Sequence, residues 1–220
     1  MARPDSCITA DGITVAIDGH HILRDLSLSV SCGERVIVAG PNGAGKTTLL
    51  KVILGLQRWN AGTLRVLGAR VGSREWSRHR RKVGYVNQEA ISVDFPISGG
   101  EVVEIGTCAL PLGRGDKKRR IQDAMAAMGC SHLQHRMYAR LSGGEKQKLS
   151  IARCLCQDPA VLLLDEPTSS LDPASRREVM DILHDLNETR GLTIIMVSHD
   201  SQVLAETSWR IERMEAGSFA

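Results

Sequence analysis

The sequence predicts an α/β fold, with a mostly parallel central sheet, an N-terminal antiparallel β part and a helical insertion in the middle. Three observations carry that prediction. Two continuous apolar runs, at residues 160–164 and 192–197, have the length and the Val/Ile/Leu character of strands buried on both faces. A third such run, Arg35-Val36-Ile37-Val38-Ala39, feeds a glycine-rich loop that leads into a helix. Between these, residues 98–155 carry helical rather than strand periodicity.

Taken in order, residues 13–17 and 26–30 read as strands joined through the Asp18-Gly19 turn region. Residues 35–39 form the strand before the loop, and 63–66 and 82–86 are further strands. Helical patterns follow at 117–128 and 144–156. After them come the buried strand 160–164, an amphipathic helix at 174–188 and the buried strand 192–197. Short strands around 209–214 and at Ser218-Phe219 close the chain, with no internal repeat.

Composition narrows the class. At 220 residues, 42% hydrophobic and 24% charged, the chain is long enough for a substantial core and ordinary for a globular protein. Its net charge of +3 is far from the strongly basic balance of nucleic-acid binders, so no nucleic-acid partner is expected. The apolar runs fall well short of the ~20 residues needed to cross a bilayer. Met1-Ala2-Arg3-Pro4-Asp5-Ser6 lacks the apolar stretch of a secretory signal, and six cysteines in such a chain read as reduced thiols. A soluble, cytoplasmic chain is expected, with no room after its last strand for an appended domain.

The loop reads Gly40-Pro41-Asn42-Gly43-Ala44-Gly45-Lys46-Thr47-Thr48, the phosphate-binding pattern of nucleoside triphosphatases. Glycines let the backbone wrap a polyphosphate, and successive N–H groups make an anion nest. Lys46 can reach the terminal phosphates and the Thr47 hydroxyl can ligate Mg²⁺, while the helix that starts near Lys46 adds its positive end. Val161-Leu162-Leu163-Leu164-Asp165-Glu166 ends a buried strand in two carboxylates, where ligands collect in such folds. Asp165 is placed to hold Mg²⁺ and Glu166 to orient or deprotonate water. Leu141-Ser142-Gly143-Gly144-Glu145-Lys146-Gln147 offers a capped helix start with open backbone N–H groups. A second anion site makes sense if two chains sandwich each nucleotide.

With these residues the chain resembles the ATP-binding subunits of ABC transporters, the zinc-, manganese- and iron-type cation importers among them. The resemblance covers nearly the whole length, and it implies a P-loop nucleotide triphosphatase core and ATP hydrolysis. Gly40–Thr48 matches the Walker A loop, Gln88 the Q-loop glutamine that contacts Mg²⁺, and Leu141, Ser142, Gly143, Gly144 and Glu145 the signature. Asp165-Glu166 matches Walker B with its catalytic glutamate, Asp172 in Ser169-Ser170-Leu171-Asp172 the D-loop, and His199 the switch histidine. The resemblance implies one 1–220 domain, with a nucleotide-binding core at 1–89 plus 157–220 and a helical subdomain at 90–156. It implies ATP and Mg²⁺ as ligands, a head-to-tail dimer, and a membrane permease met through the helical subdomain. A substrate-binding protein enters indirectly, and the chain sits on the cytoplasmic face of the membrane. The alternative is a soluble ABC-type ATPase on a scaffold, as in iron–sulfur cluster assembly.

The chain departs from the family at several positions. Ile17 stands where an aromatic residue usually stacks on adenine, so weaker base binding is expected. Glu145 and Lys148 stand where Gln and Arg are common. The segment Val93-Asp94-Phe95-Pro96-Ile97-Ser98 with Glu101–Gly106 is similar to that of metal-cation importers and is the one hint of cargo. The Cys130, His132 and His135 group offers three potential ligands, one fewer than structural zinc needs, and reads as loop and helix start. Cys154 and Cys156 read as packing, and the basic runs 78–82 and 117–120 as solvated faces.

Overall fold

The computed structural model describes residues 6–88 and 96–220. β1 (Ser6–Ile17) and β2 (His20–Ser31) form an antiparallel hairpin that closes at Ile17 and His20. Asp18 and Gly19 between them take φ of 48° and 79°, the left-handed pair that a two-residue hairpin turn requires. β3 (Arg35–Ala39) then runs through the glycine loop into α1 (Lys46–Ile53). Next come β4 (Ala61–Val66), β5 (Ala69–Arg70), α2 (Trp76–His79) and β6 (Val83–Val86). The middle is helical, with α3 (Gly99–Glu104), α4 (Arg114–Ala127) and α5 (Gly143–Leu155). β7 (Val161–Asp165), α6 (Pro173–Arg190), β8 (Thr193–Ser198), α7 (Ser201–Glu206), β9 (Arg210–Glu215) and β10 (Ser218–Phe219) complete the fold.

Two sheets result. The antiparallel one has the order β2-β1-β4-β5. The other has the order β10-β9-β3-β8-β7-β6, with every pair parallel except β10 on β9. The fold class is therefore as the sequence predicts.

Strand alternation explains how this sheet holds the molecule together. Successive side chains of a strand point to opposite faces, and here both faces are buried. Val36, Val38, Val161, Leu163, Ile195 and Val197 pack into a cluster with α1 and the antiparallel sheet. Ile37, Leu162, Leu164, Ile194 and Met196 face the other way and pack with α3–α6. That two-sided burial is why the strands read as unbroken apolar runs.

The hairpin strands are twelve residues each, longer than the two five-residue runs legible in the sequence. Register shifts recur along the β1–β2 pair, and Gly12 within β1 and Asp25 within β2 take positive φ. Such bulges break the period-two pattern by which a strand is recognised. α2 escapes the sequence reading as well; its single turn is anchored by buried Trp76.

Leu162 is fully buried in the middle of the parallel sheet, with β6 and β8 on either side. Leu162→Ala should cost about 2–5 kcal/mol of unfolding free energy, the range for truncating a core leucine. Urea denaturation checks this, and a loss under about 1 kcal/mol would show a sheet core able to collapse onto the gap.

Candidate active site

The parallel strands end side by side, Ala39 beside Ser198 and Asp165 beside Val197. The segments that follow them therefore meet at one sheet edge, bringing the glycine loop, Glu166 and His199 together, with Gln88 arriving just past the end of β6. The glycine loop, Gln88 and Glu166 border a cavity of about 440 Å³ lined by Asn42, Lys46, Thr47, Gln88 and Glu166 among others, while His199 lines a neighbouring cavity with Gly40 and Pro41.

Gly40 at the start of the loop has no room for a side chain, since a Cβ there would lie 2.2 Å from the Met214 carbonyl. Gly45 has φ of 102° and caps α1 without a side-chain hydrogen bond. The first N–H groups of the helix are therefore not claimed by a cap and stand available to an anion. Lys46 is 5% exposed, and its ammonium donates to the carbonyls of Gly40 at 2.8 Å and Pro41 at 2.9 Å. Among the described residues no carboxylate pairs with it, so a buried positive charge faces the loop with only neutral partners.

Asp165 is 1% exposed. Its Oδ1 accepts from the Thr47 hydroxyl at 3.0 Å and its Oδ2 from the Tyr85 hydroxyl at 3.2 Å. Burial raises its pKa above the ordinary aspartate value, and the two donors partly oppose the rise. The Tyr85 phenol is also pushed up, first by burial and then by the charge of Asp165. A hydroxyl and a carboxylate in contact are the hard-oxygen donors that suit Mg²⁺.

Glu166 has φ of 49°, a left-handed backbone that costs a non-glycine residue on the order of 1–3 kcal/mol. Its N–H bonds the Val197 carbonyl at 3.1 Å, which holds that geometry. Gln88 Nε2 donates to Glu166 Oε2 at 3.1 Å, and His199 Nδ1 lies 2.8 Å from Oε1. The largely buried carboxylate is thus gripped on both oxygens, while the His199 side chain stays 47% exposed.

The predicted signature residues lie elsewhere, for none of Leu141–Glu145 borders the cavity. Leu141 is buried, and Ser142 caps α5 by a reciprocal pair of bonds. Its Oγ accepts from the Glu145 N–H at 3.3 Å, and its N–H donates to Glu145 Oε2 at 2.8 Å. That second bond is the main cause holding the Glu145 carboxyl below its ordinary pKa. Asp172 caps α6, accepting from the N–H groups of Ala174 at 3.0 Å and Ser175 at 3.1 Å. Ile17 ends β1 42% exposed and does not border the cavity. Ile22 does.

Sequence reasoning missed Ile22, Tyr85 and Arg176. The Arg176 guanidinium bonds the Leu171 carbonyl at 3.4 Å and Asp200 at 3.1 Å, tying the residue before Asp172 to the residue after His199. Its partners are distant in sequence, and only its place one turn into an amphipathic helix was visible. Cys130 is buried, with its thiol on the Met125 carbonyl, and Cys154 and Cys156 are buried as well. Val93, Asp94 and Phe95 of the cargo segment lie outside the described residues.

The chain matches the model of the family described as "ABC transporter" over residues 23–169. It is 36% identical over 213 residues to the cobalt import ATP-binding protein CbiO of Rhodobacter capsulatus, covering 96% of this chain and 76% of that one. It is also 36% identical over 200 residues to the manganese transport system ATP-binding protein MntB of Bacillus subtilis, covering 89% and 78%. Among solved structures, cbiO1 of Clostridium perfringens, part of the transporter complex cbiONQ, superposes with a TM-score of 0.90 at 28% identity, covering 98% and 87%. A dimeric ATP-binding cassette bound to ADP and Pi superposes at 0.83 with 26% identity, covering 96% of each chain. A nucleotide loop and acidic strand end brought to one sheet edge, matched across this family, leave one conclusion: the chain belongs to the ABC transporter family, as an ATP-binding subunit that hydrolyses ATP.

Proposed function

We propose that the chain is the motor of a membrane importer for metal cations or metal chelates, working as a head-to-tail dimer that encloses ATP. The observation that carries the catalytic part is the Glu166 carboxylate held by Gln88 and His199 beside the Thr47–Asp165 pair. In this reading Gly40, Pro41, Asn42, Gly43, Ala44, Gly45 and Thr48 supply the backbone and side-chain cradle for the phosphates. Lys46 draws in the terminal phosphates as a fixed charge. Thr47, Asp165 and Gln88 would hold Mg²⁺, which when bound neutralises charge on the phosphate oxygens.

Glu166 orients and deprotonates the attacking water, with its carboxylate aimed by two donors before any substrate arrives. His199 holds that carboxylate and faces the γ-phosphate. Ser142, Gly143 and Gly144 of a second copy complete the site, a reading supported by the Ser142–Glu145 cap, which leaves the Gly143 and Gly144 N–H groups uncapped. Relatives that form dimers and transporter complexes support pairing and permease docking. Docking is assigned to the helical subdomain, 90–156, beside the core formed by 1–89 and 157–220. A substrate-binding protein takes part indirectly, and nucleic acid does not.

Among the described residues no helix is long and apolar enough to cross a membrane. Attachment at the cytoplasmic face through the permease is therefore part of the proposal. The cargo reading rests on the cobalt and manganese relatives. The described part of the segment that suggested it is a capped helix with Val102 and Val103 in the core, which says nothing about cargo.

Substituting Glu166→Gln keeps the shape and removes the base. ATP turnover should fall by about 10²–10⁴-fold with ATP binding retained, as single-turnover assays and equilibrium binding will show; normal turnover would overturn the role. Ile17→Tyr should tighten ATP binding by an amount matching about 0.5–1.5 kcal/mol of aromatic stacking, and an unchanged dissociation constant would remove Ile17 from the base site. For the transport role, the tagged chain purified from gently solubilised membranes should bring down a multi-span permease. Recovery of a soluble scaffold with no membrane protein above background would leave the ATPase chemistry standing and end the importer reading.

A further inference from the structure

We propose that Tyr85 is a positioning residue for the Mg²⁺ site, fixing Asp165 from the side opposite Thr47 and linking it to the segment that carries Gln88. The inference rests on the assignment of Asp165 to Mg²⁺ made above.

Register explains the placement. Tyr85 in β6 pairs with Leu163 in β7, and Leu163 and Asp165 are two residues apart on one strand, so they share a face. The phenol hydroxyl consequently meets Asp165 Oδ2 at 3.2 Å, while Thr47 holds Oδ1 at 3.0 Å. The carboxylate is clamped by one donor from the nucleotide loop and one from the neighbouring strand. Without the phenol, a buried carboxylate oxygen loses its protein donor, and the group is free to rotate about its Cβ–Cγ bond.

The same hydroxyl lies 3.3 Å from Asn87 Oδ1. A phenol has one proton, so it donates to Asp165 or to Asn87, one at a time. Asn87 Oδ1 also accepts from the Gln88 N–H at 3.0 Å, and Gln88 holds Glu166. At its other end, the Tyr85 carbonyl accepts the Cys154 thiol of α5 at 3.2 Å. Tyr85 therefore touches the Mg²⁺ carboxylate, the Asn87 side chain that holds the Gln88 N–H, and the helix whose start is the signature. Its single proton can serve Asp165 or Asn87, so in this proposal occupation of the metal site is felt at Gln88 through Asn87.

Tyr85→Phe removes the hydroxyl and leaves the ring. Equilibrium ATP binding to the full chain is measured across a Mg²⁺ titration and in EDTA. The Mg²⁺ concentration for half-saturation should rise about tenfold, the size of one lost hydrogen bond to a charged group, with ATP affinity in EDTA unchanged. An equal loss with and without Mg²⁺, or no change in either, would overturn the proposal. The wild-type chain gives a second test, because it holds only two tyrosines. With ¹³Cζ-labelled tyrosine, Mg²⁺ plus ATP should shift the Tyr85 resonance and ATP in EDTA should not; identical spectra would also overturn it. If the wild-type chain itself binds ATP equally with and without Mg²⁺, the failure lies with the Asp165 assignment and not with Tyr85 alone.

Discussion

Two adjacent carboxylates at the end of a buried strand are the constraint around which this molecule is organised. Asp165 and Glu166 are 1% and 9% exposed, and carboxylates out of water are costly unless donors surround them. Each oxygen of the pair has one: Thr47 and Tyr85 for Asp165, Gln88 and His199 for Glu166. These four donors come from four different segments. Satisfying the pair therefore fixes the relative positions of the glycine loop, β6, the segment after it and the end of β8. Site geometry and fold geometry are here one requirement.

The sheet makes that arrangement possible because both of its faces are dry. Residues of β3, β7 and β8 alternate between the two clusters, so that no strand can slip by one residue without exchanging faces. Register is thereby pinned at the strand ends, where the functional groups emerge. The strain at Glu166 follows from the same cause. The chain must leave β7 at once and still bond Val197, and the left-handed backbone achieves this while turning the side chain toward Gln88 and His199.

How much of this the sequence disclosed depended on whether the physics was local. The glycine loop, the strand 35–39 and the acidic end of β7 were legible because each is a contiguous chemical pattern, and those carried most of the fold class. The hairpin was legible at its Asp18-Gly19 turn but not in its length, since bulges scramble the alternation that marks a strand. Tyr85 and Arg176 were invisible for a different reason. Tyr85 meets a carboxylate 80 residues away, and in the sequence it is one tyrosine in a short strand. Ile22 borders the cavity while Ile17 does not, a distinction made by the hairpin's fold-back over the loop.

The departures at Glu145 and Lys148 are instructive because the structure gives each a local reason. An α-helix start leaves its first N–H groups without intrahelical acceptors. The reciprocal bonds between Ser142 and Glu145 satisfy the first and last of that set, leaving those of Gly143 and Gly144 for something outside the helix. A carboxylate so near the proposed phosphate contact would ordinarily repel the ligand. Glu145, however, is turned back onto the Ser142 N–H and lies 3.3 Å from the Arg136 guanidinium, so its charge is compensated before any nucleotide approaches. Lys148 reaches Glu178 of α6 at 2.5 Å, and Gly144 sits against Ser175 of the same helix. The start of α5 is consequently braced by the helix that Asp172 caps. In the proposed dimer the surface one copy offers to the other's nucleotide would move with α6, and through Arg176 and Asp200 with the loop that carries His199. A single ATP would then be sensed by both copies through parts that each chain already holds rigidly together.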